Sequence, residues 1–271
     1  MPRDPRIFLG GGFILLLLLL AILAQFIAPQ DPLAQDLLLT TVPPLNEPGY
    51  LLGTDSLGRD ILSRLIHASR IAMTVAFAAS ILAGMLGTIM GLAAGYLGGW
   101  WDAAVSRLID IWMAFPPVLL SILLVAVLGS GLHSVIAAIV VIDWTRFARV
   151  VRAETQQQSR LEYVEAATAL GMSRSAILYR EILPNVAPAI LVLLSLEMGI
   201  AVIVEAILSF VGLSVSSDTP TWGGMIAEGR QIVYQAWWVL VFPLVTLFLT
   251  VLAFNQLGDG LRQWLDPMLK R

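Results

Sequence analysis

A run of almost purely apolar side chains from Ile7 to Ala28, 22 residues long, constrains this chain more than any other feature. A helix of about 20 apolar residues matches the hydrocarbon thickness of a bilayer. It has no polar face to present to water. The run exceeds the roughly 7–15-residue apolar core of a cleaved signal peptide, and Arg3 and Arg6 precede it. It reads as a retained first spanning helix. Comparable stretches return at Ile71–Leu97, Pro117–Leu128, Leu132 to about Phe147, Val186–Val211 and Trp237–Leu257. Six spans in an all-α integral membrane protein follow. Composition agrees: 58% of residues are hydrophobic and 13% charged, against about 45–50% and 25% in soluble domains.

So little charge excludes a disordered chain, a coiled coil and a nucleic-acid binder, and the net charge of −3 points to no polyanionic partner. The chain has no cysteine and only two histidines, His67 and His133, so thiol chemistry and histidine-rich metal centres are absent. Its single lysine is Lys270, in no Gly-Lys-Ser/Thr context, so it contains no phosphate-binding P-loop of its own.

The polar segments between spans set orientation. Residues 29–70 open with prolines and continue through Asp55, Arg59, Asp60, Arg64 and Arg70, with an amphipathic helix expected from about Leu57 to Ala68. Residues 98–115 read as a loop holding Trp100, Trp101, Asp102 and Arg107. Residues 146–184 are the most charged stretch of the chain, and 212–236 form a further polar loop. With the N-terminus inside, twelve basic residues fall on the inner side and four on the outer. Basic residues favour the cytoplasmic side, which predicts N-in and C-in.

Two features lie inside the spans. Ala79, Ala83, Gly87, Gly91 and Gly95 recur every four residues and line one helix face with small side chains, suited to close approach of another helix in this chain or in a partner. Asp143, Glu197 and Glu205 are carboxylates within or beside apolar runs. Such groups are costly in a bilayer and either satisfy a structural need or line an aqueous path; the sequence leaves both readings open.

Residues 162–184 predict a compact cytoplasmic knob. A short helix ends near Gly171, Ser173 can cap a second one, and that helix continues until Pro184, with Pro188 just beyond. From the residues alone, a charged loop without a partner remains equally open.

Glu165-Ala166-Ala167, Gly171 four residues on, and Leu183-Pro184 resemble the EAA loop of ABC-importer permeases, with Glu181 standing where that pattern has isoleucine. Residues Leu52 to Asp60 (LGTDSLGRD), Glu205 to Leu213 followed by Pro220-Thr221-Trp222-Gly223, Gly258 to Arg262, and Leu265-Asp266-Pro267 are similar to the C-type permease subunit of dipeptide, oligopeptide and nickel importers.

The resemblance implies a type I importer permease fold. Residues 1–70 would carry the first helix and a periplasmic segment, and 71–271 the core, with the coupling loop at about 152–184. It implies a homologous B-type permease, two cytoplasmic ATPase subunits that use ATP and Mg, and a substrate-binding protein as partners in a bacterial or archaeal cytoplasmic membrane. This chain would bind no cofactor or metal and catalyse nothing. Glu165, Ala166, Ala167, Gly171, Leu183 and Pro184 would couple to the ATPases. Asp55, Arg59 and Asp60, with the Trp222 loop, would help form the docking surface for the binding protein or else close the outer end of the bundle. Glu197 and Glu205 are candidates for the path between the two permeases. The cargo stays open among peptides, nickel chelates, glutathione, opines and other small solutes. The competing function is an ion-coupled secondary transporter using Asp143, Glu197 and Glu205, although no inverted repeat supports it.

Overall fold

The computed structural model describes residues 5–215 and 218–265. Arg3, Asp266, Pro267, Lys270 and Arg271, which entered the orientation and motif readings, lie outside the described residues. Among the described residues the chain is helical, with only an isolated bridge between Thr54 and Asp60. Four helical stretches are long and apolar enough to cross a membrane, or five if one bent pair counts as a single span.

The first span is α1 (Pro5–Ile22), followed by one short turn, α2 (Ala24–Ile27). The amphipathic helix and second span expected separately are one helix, α3 (Ile61–Leu97), of 37 residues. At 1.5 Å per residue it is roughly 55 Å long, longer than the hydrocarbon core of about 30 Å. Asp60 caps it by accepting from the Ser63 N–H at 2.8 Å, and Gly98 stops it at φ +65°.

The segment expected as a loop at 98–115 is instead a helix, α4 (Gly99–Met113), which bends by 88° into α5 (Pro117–Leu128). Its tryptophans and isoleucines alternate with Asp102, Arg107 and Asp110 on a helical period, which the loop reading overlooked. Pro116-Pro117 breaks the ladder at the bend, because proline has no N–H to donate and disfavours helix in the residue before it.

A Gly-Ser-Gly turn leads to α6 (Leu132–Gln158), which carries Asp143 just before its midpoint and Arg146, Arg149, Arg152 and Glu154 in its second half. Helices α3 and α6 run parallel, and the small-residue face of α3 lies against α6 of the same chain. A Cβ added to Gly91 would sit 2.7 Å from the Ala148 carbonyl oxygen, and one on Gly95 2.7 Å from Thr155 Cβ. One on Gly87 would overlap the Trp144 carbonyl oxygen. The glycine stripe is therefore an internal helix contact.

After the knob helices α7 (Glu162–Ala169) and α8 (Arg174–Ile177), the chain runs through a π-helical turn, Leu178–Ile182, directly into α9 (Leu183–Phe210). Pro184 does not end the helix. The preceding turn widens, with the Leu183 N–H bonding to Leu178 O, which accommodates a ring that would otherwise crowd the ladder. The carbonyl of Glu181 is met by the Asn185 side chain at 2.6 Å. An outer helix, α10 (Trp222–Gln231), lies across α9, and α11 (Trp237–Leu265) completes the bundle. A core of Leu65, Met73, Trp222, Met225, Trp238 and Phe254 joins α3, α10 and α11.

Candidate functional site

Three groups of polar residues stand out, at the knob of α7 and α8, at the end of the bundle where α3 begins, and at mid-bundle.

The knob follows its local sequence closely. Gly171 takes φ +78°; its N–H bonds to Thr168 O at 3.0 Å and the Met172 N–H to Ala167 O at 3.1 Å. This closes α7 with the pair of bonds expected of a left-handed glycine stop. Ser173 caps α8, accepting from the Ala176 N–H at 3.3 Å. Val164, Ala167, Ile177 and Ile182 are buried together with Leu92 of α3, Val151 of α6 and Val186 of α9, so the knob is packed onto the bundle. Ala167 thus faces inward, whereas Glu165, Ala166 and Gly171 are exposed and Leu183 and Pro184 begin α9. Leu170 is 84% exposed and Tyr179 65%, so the knob carries apolar side chains on its outside. The Tyr163 hydroxyl donates to Gln158 Oε1 at 2.9 Å, joining the end of α6 to the knob. Partial burial pushes that phenol above its ordinary value, so it remains a protonated donor.

Where α3 begins, Asp55 accepts from the backbone N–H groups of Leu57 at 2.8 Å and Arg59 at 3.0 Å. It also accepts from Arg59 Nε at 2.7 Å and from Arg64 Nη1. Glu228 of α10 accepts from Arg59 Nη2 at 2.8 Å and from Arg64 Nη1 and Nη2 at 2.7 and 3.1 Å. Two arginines and two carboxylates balance, and both arginines are almost wholly buried. Charge-assisted forks of this kind compensate desolvation through geometry. Trp222 Nε1 donates to Leu65 O at 3.2 Å and Trp238 Nε1 to Thr54 O at 3.1 Å. Asp55, Arg59, Asp60 and Trp222, expected on or beside a docking surface, are all buried here, between 0% and 7% exposed; Asp60 is held by Ser63 and takes no part in the arginine pairs. They tie residues 53–64 to α10 and α11. Sequence reasoning missed Glu228, because Asp55 and Asp60 already offered Arg59 and Arg64 nearby acids and nothing local points 164 residues along the chain.

At mid-bundle, Arg146 Nη1 lies 3.2 Å from each carboxylate oxygen of Glu197 on α9. Its Nε lies 3.9 Å from Asp143 Oδ1. Glu205 does not join this group: it accepts from the Ser209 hydroxyl at 2.5 Å and the Ser214 hydroxyl at 3.1 Å, pinning the turn after α9. Farther along α6, Arg152 pairs with Asp102 and Arg149 with Asp110 of α4, the latter at 3.4 Å.

Residues 83–271 match the family of binding-protein-dependent transport system inner membrane components. The chain belongs to this family. Residues 3–48 of the permease further match the N-terminal membrane domain of oligopeptide transport permease C. It is 42% identical over 264 residues to the glutathione transport system permease protein GsiD of Pectobacterium atrosepticum, a match covering 96% of this chain and 86% of that protein. The proteins of the same name from Shigella dysenteriae and Escherichia coli are 42% identical over 262 residues, covering 95% and 85%. Among solved structures, an inward-facing MetNI methionine ABC transporter is similar at a TM-score of 0.62 and 19% identity, covering 75% of this chain and 96% of that one. That likeness concerns fold alone. The permease is thus a non-enzymatic, multi-pass subunit of a bacterial inner-membrane ABC importer of the oligopeptide and dipeptide group.

Proposed function

We propose that this permease forms half of an ATP-driven import path for peptide-like solutes, with a homologous permease supplying the other half. Two ATPase subunits would engage the knob, and a loaded binding protein would meet the outer end. In this reading the chain crosses the membrane six times, N-in and C-in. Helix α6 then counts as a span despite its charges, because Arg146, Arg149 and Arg152 each pair with a carboxylate on another helix, and Asp143 keeps only a long contact of 3.9 Å to Arg146. The core runs from about residue 71, with α3 carrying the preceding outer segment into it without a break.

The observation that carries the coupling role is the knob: a pair of short helices seated on α3, α6 and α9 through a shared buried cluster, with Leu170 and Tyr179 turned outward. An apolar knob beside Glu165 suits a groove on another protein, and the continuous π turn into α9 gives its movement a stiff route to the bundle. Glu165, Ala166, Ala167 and Gly171 shape that contact, and Leu183 and Pro184 pass it on. At the outer end, the buried network of Asp55, Arg59, Asp60 and Trp222 serves docking indirectly. It holds in place an outer surface on which Leu38 and Tyr234 are fully or almost fully exposed. Of the two carboxylates considered for the path, Glu197 is the better placed.

Peptide cargo is supported by the oligopeptide-permease match of the N-terminal segment and by the glutathione-permease relatives. The test is uptake by the reconstituted transporter of labelled glutathione, trialanine and a nickel chelate, each with loaded binding protein and ATP. Uptake of a peptide that needs both components is expected. Uptake driven by a proton or sodium gradient without ATP, or of the nickel chelate alone, would overturn the reading.

A further inference from the structure

Helices α5, α6 and α9 enclose a cavity of about 190 Å³ lined by Pro117, Ser121, Ile142, Asp143, Arg146 and Val204, among others. Its only ionisable lining groups are Asp143 and Arg146. Asp143 is the twelfth residue of α6, about 16 Å along the axis at 1.5 Å per residue. In the six-span arrangement proposed above, that places the cavity near mid-bilayer.

The charges here do not balance. One arginine stands against two carboxylates, unlike the outer network with its two of each. Glu197 holds Arg146 at 3.2 Å, leaving Asp143 a contact of 3.9 Å. Among the described residues no hydrogen-bond donor meets the Asp143 carboxylate, although the residue is only 4% exposed. A carboxylate so placed is costly unless something in the cavity answers it. Water can enter a space of this size, but water supplies no positive charge.

We propose that this cavity is a contact site for the ammonium group of a peptide-like cargo, with Asp143 as the group that receives it. Glu197 is a positioning residue. By holding Arg146 it stops the guanidinium from neutralising Asp143, so the site stays anionic until cargo passes. A single carboxylate in a mainly apolar cavity, with Arg146 close by in the lining, favours brief contact over retention, as a path requires. The site rests on the peptide-import reading above.

The test uses the complete transporter in proteoliposomes, with saturating loaded binding protein and labelled glutathione or trialanine, whichever the wild type imports. Asp143→Asn should lower maximal uptake at least tenfold while leaving the KM for loaded binding protein unchanged, because docking lies elsewhere. Glu197→Gln, which frees Arg146 to move onto Asp143, should also lower it. The double variant Arg146→Gln/Glu197→Gln should recover part of the loss. A merely structural ion pair predicts the reverse order, with the double variant no better than the single, and that order would overturn the proposal. Wild-type uptake by Asp143→Asn would do the same. Should that variant fail to assemble, Val204→Phe fills the cavity without touching a charge, and unchanged uptake there would be equally fatal. If the wild type imports neither peptide, the peptide reading falls, and this site with it; if it imports one and the variants behave as wild type, only the site falls.

Discussion

Arg64 on α3 and Glu228 on α10 stand 164 residues apart in the chain, yet both guanidinium Nη atoms lie within 3.1 Å of the Glu228 carboxylate. This fork, with Arg59 and Asp55, ties the start of α3 to the outer helix. Glu228→Gln leaves Arg59 and Arg64 sharing Asp55 alone. Breaking a fully buried pair costs about 3–5 kcal/mol. The Glu228 side chain is 34% exposed, so solvent screening reduces the expected cost to about 1–2 kcal/mol. The purified complex should melt a few degrees lower. If the network also holds the outer end closed, ATP hydrolysis without binding protein should rise several-fold. A lower Tm with unchanged basal hydrolysis would restrict the network to stability.

Gly171 is required for its backbone and not for space. No atom lies within 4 Å of where its Cβ would be, but φ is +78°. A non-glycine residue there costs about 1–2 kcal/mol, most for a β-branched one. Gly171→Val should distort the stop of α7 and uncouple uptake from stimulated ATP hydrolysis, whereas Gly171→Asn, which tolerates this conformation, should retain most of both. Uptake and stimulated hydrolysis measured side by side decide it; full activity of the valine variant would remove Gly171 from the coupling role.

Leu170 offers the opposite case, with an exposed side chain that contributes little to the fold. Leu170→Asp should leave the thermal stability of the permease within about 0.5 kcal/mol of wild type. It should still sharply reduce recovery of the ATPase subunits on co-purification. Normal recovery would place the ATPase contact elsewhere.

The α3–α6 contact is the least forgiving part of the bundle. At Gly87 even a methyl group would meet the Trp144 carbonyl and the Phe147 side chain. Overpacking commonly costs about 1–3 kcal/mol, and a collision with helix backbone belongs at the upper end. Gly87→Val should therefore abolish folded complex in gel filtration. Gly98 also has no atom within 4 Å of a would-be Cβ, but its φ of +65° and ψ of −159° lie in a region kept almost wholly for glycine, so Gly98→Ala should assemble with a loss of about 1–3 kcal/mol, read as a lower Tm.

What the amino-acid order determined by itself is what depends on near neighbours. Runs of about 20 apolar residues find their energy minimum in a bilayer whatever surrounds them, so the all-helical membrane class was legible at once. The stop at Gly171 and the cap at Ser173 are closed by bonds across three to five residues, and both formed where the residues announced them. The same local logic failed at 98–115, where polar residues and two prolines suggested a loop and helical periodicity won. It failed again at Pro184, where a widened turn absorbed the proline. The tertiary structure alone decided which distant charges meet: Glu228 with Arg59 and Arg64, and Glu197 with Arg146 in preference to Asp143. It also turned the glycine stripe inward onto α6. An isolated charge in an apolar segment says only that a partner must exist. Its identity is set by which helices pack together, and that choice rests on the summed fit of whole surfaces that no short stretch of sequence records.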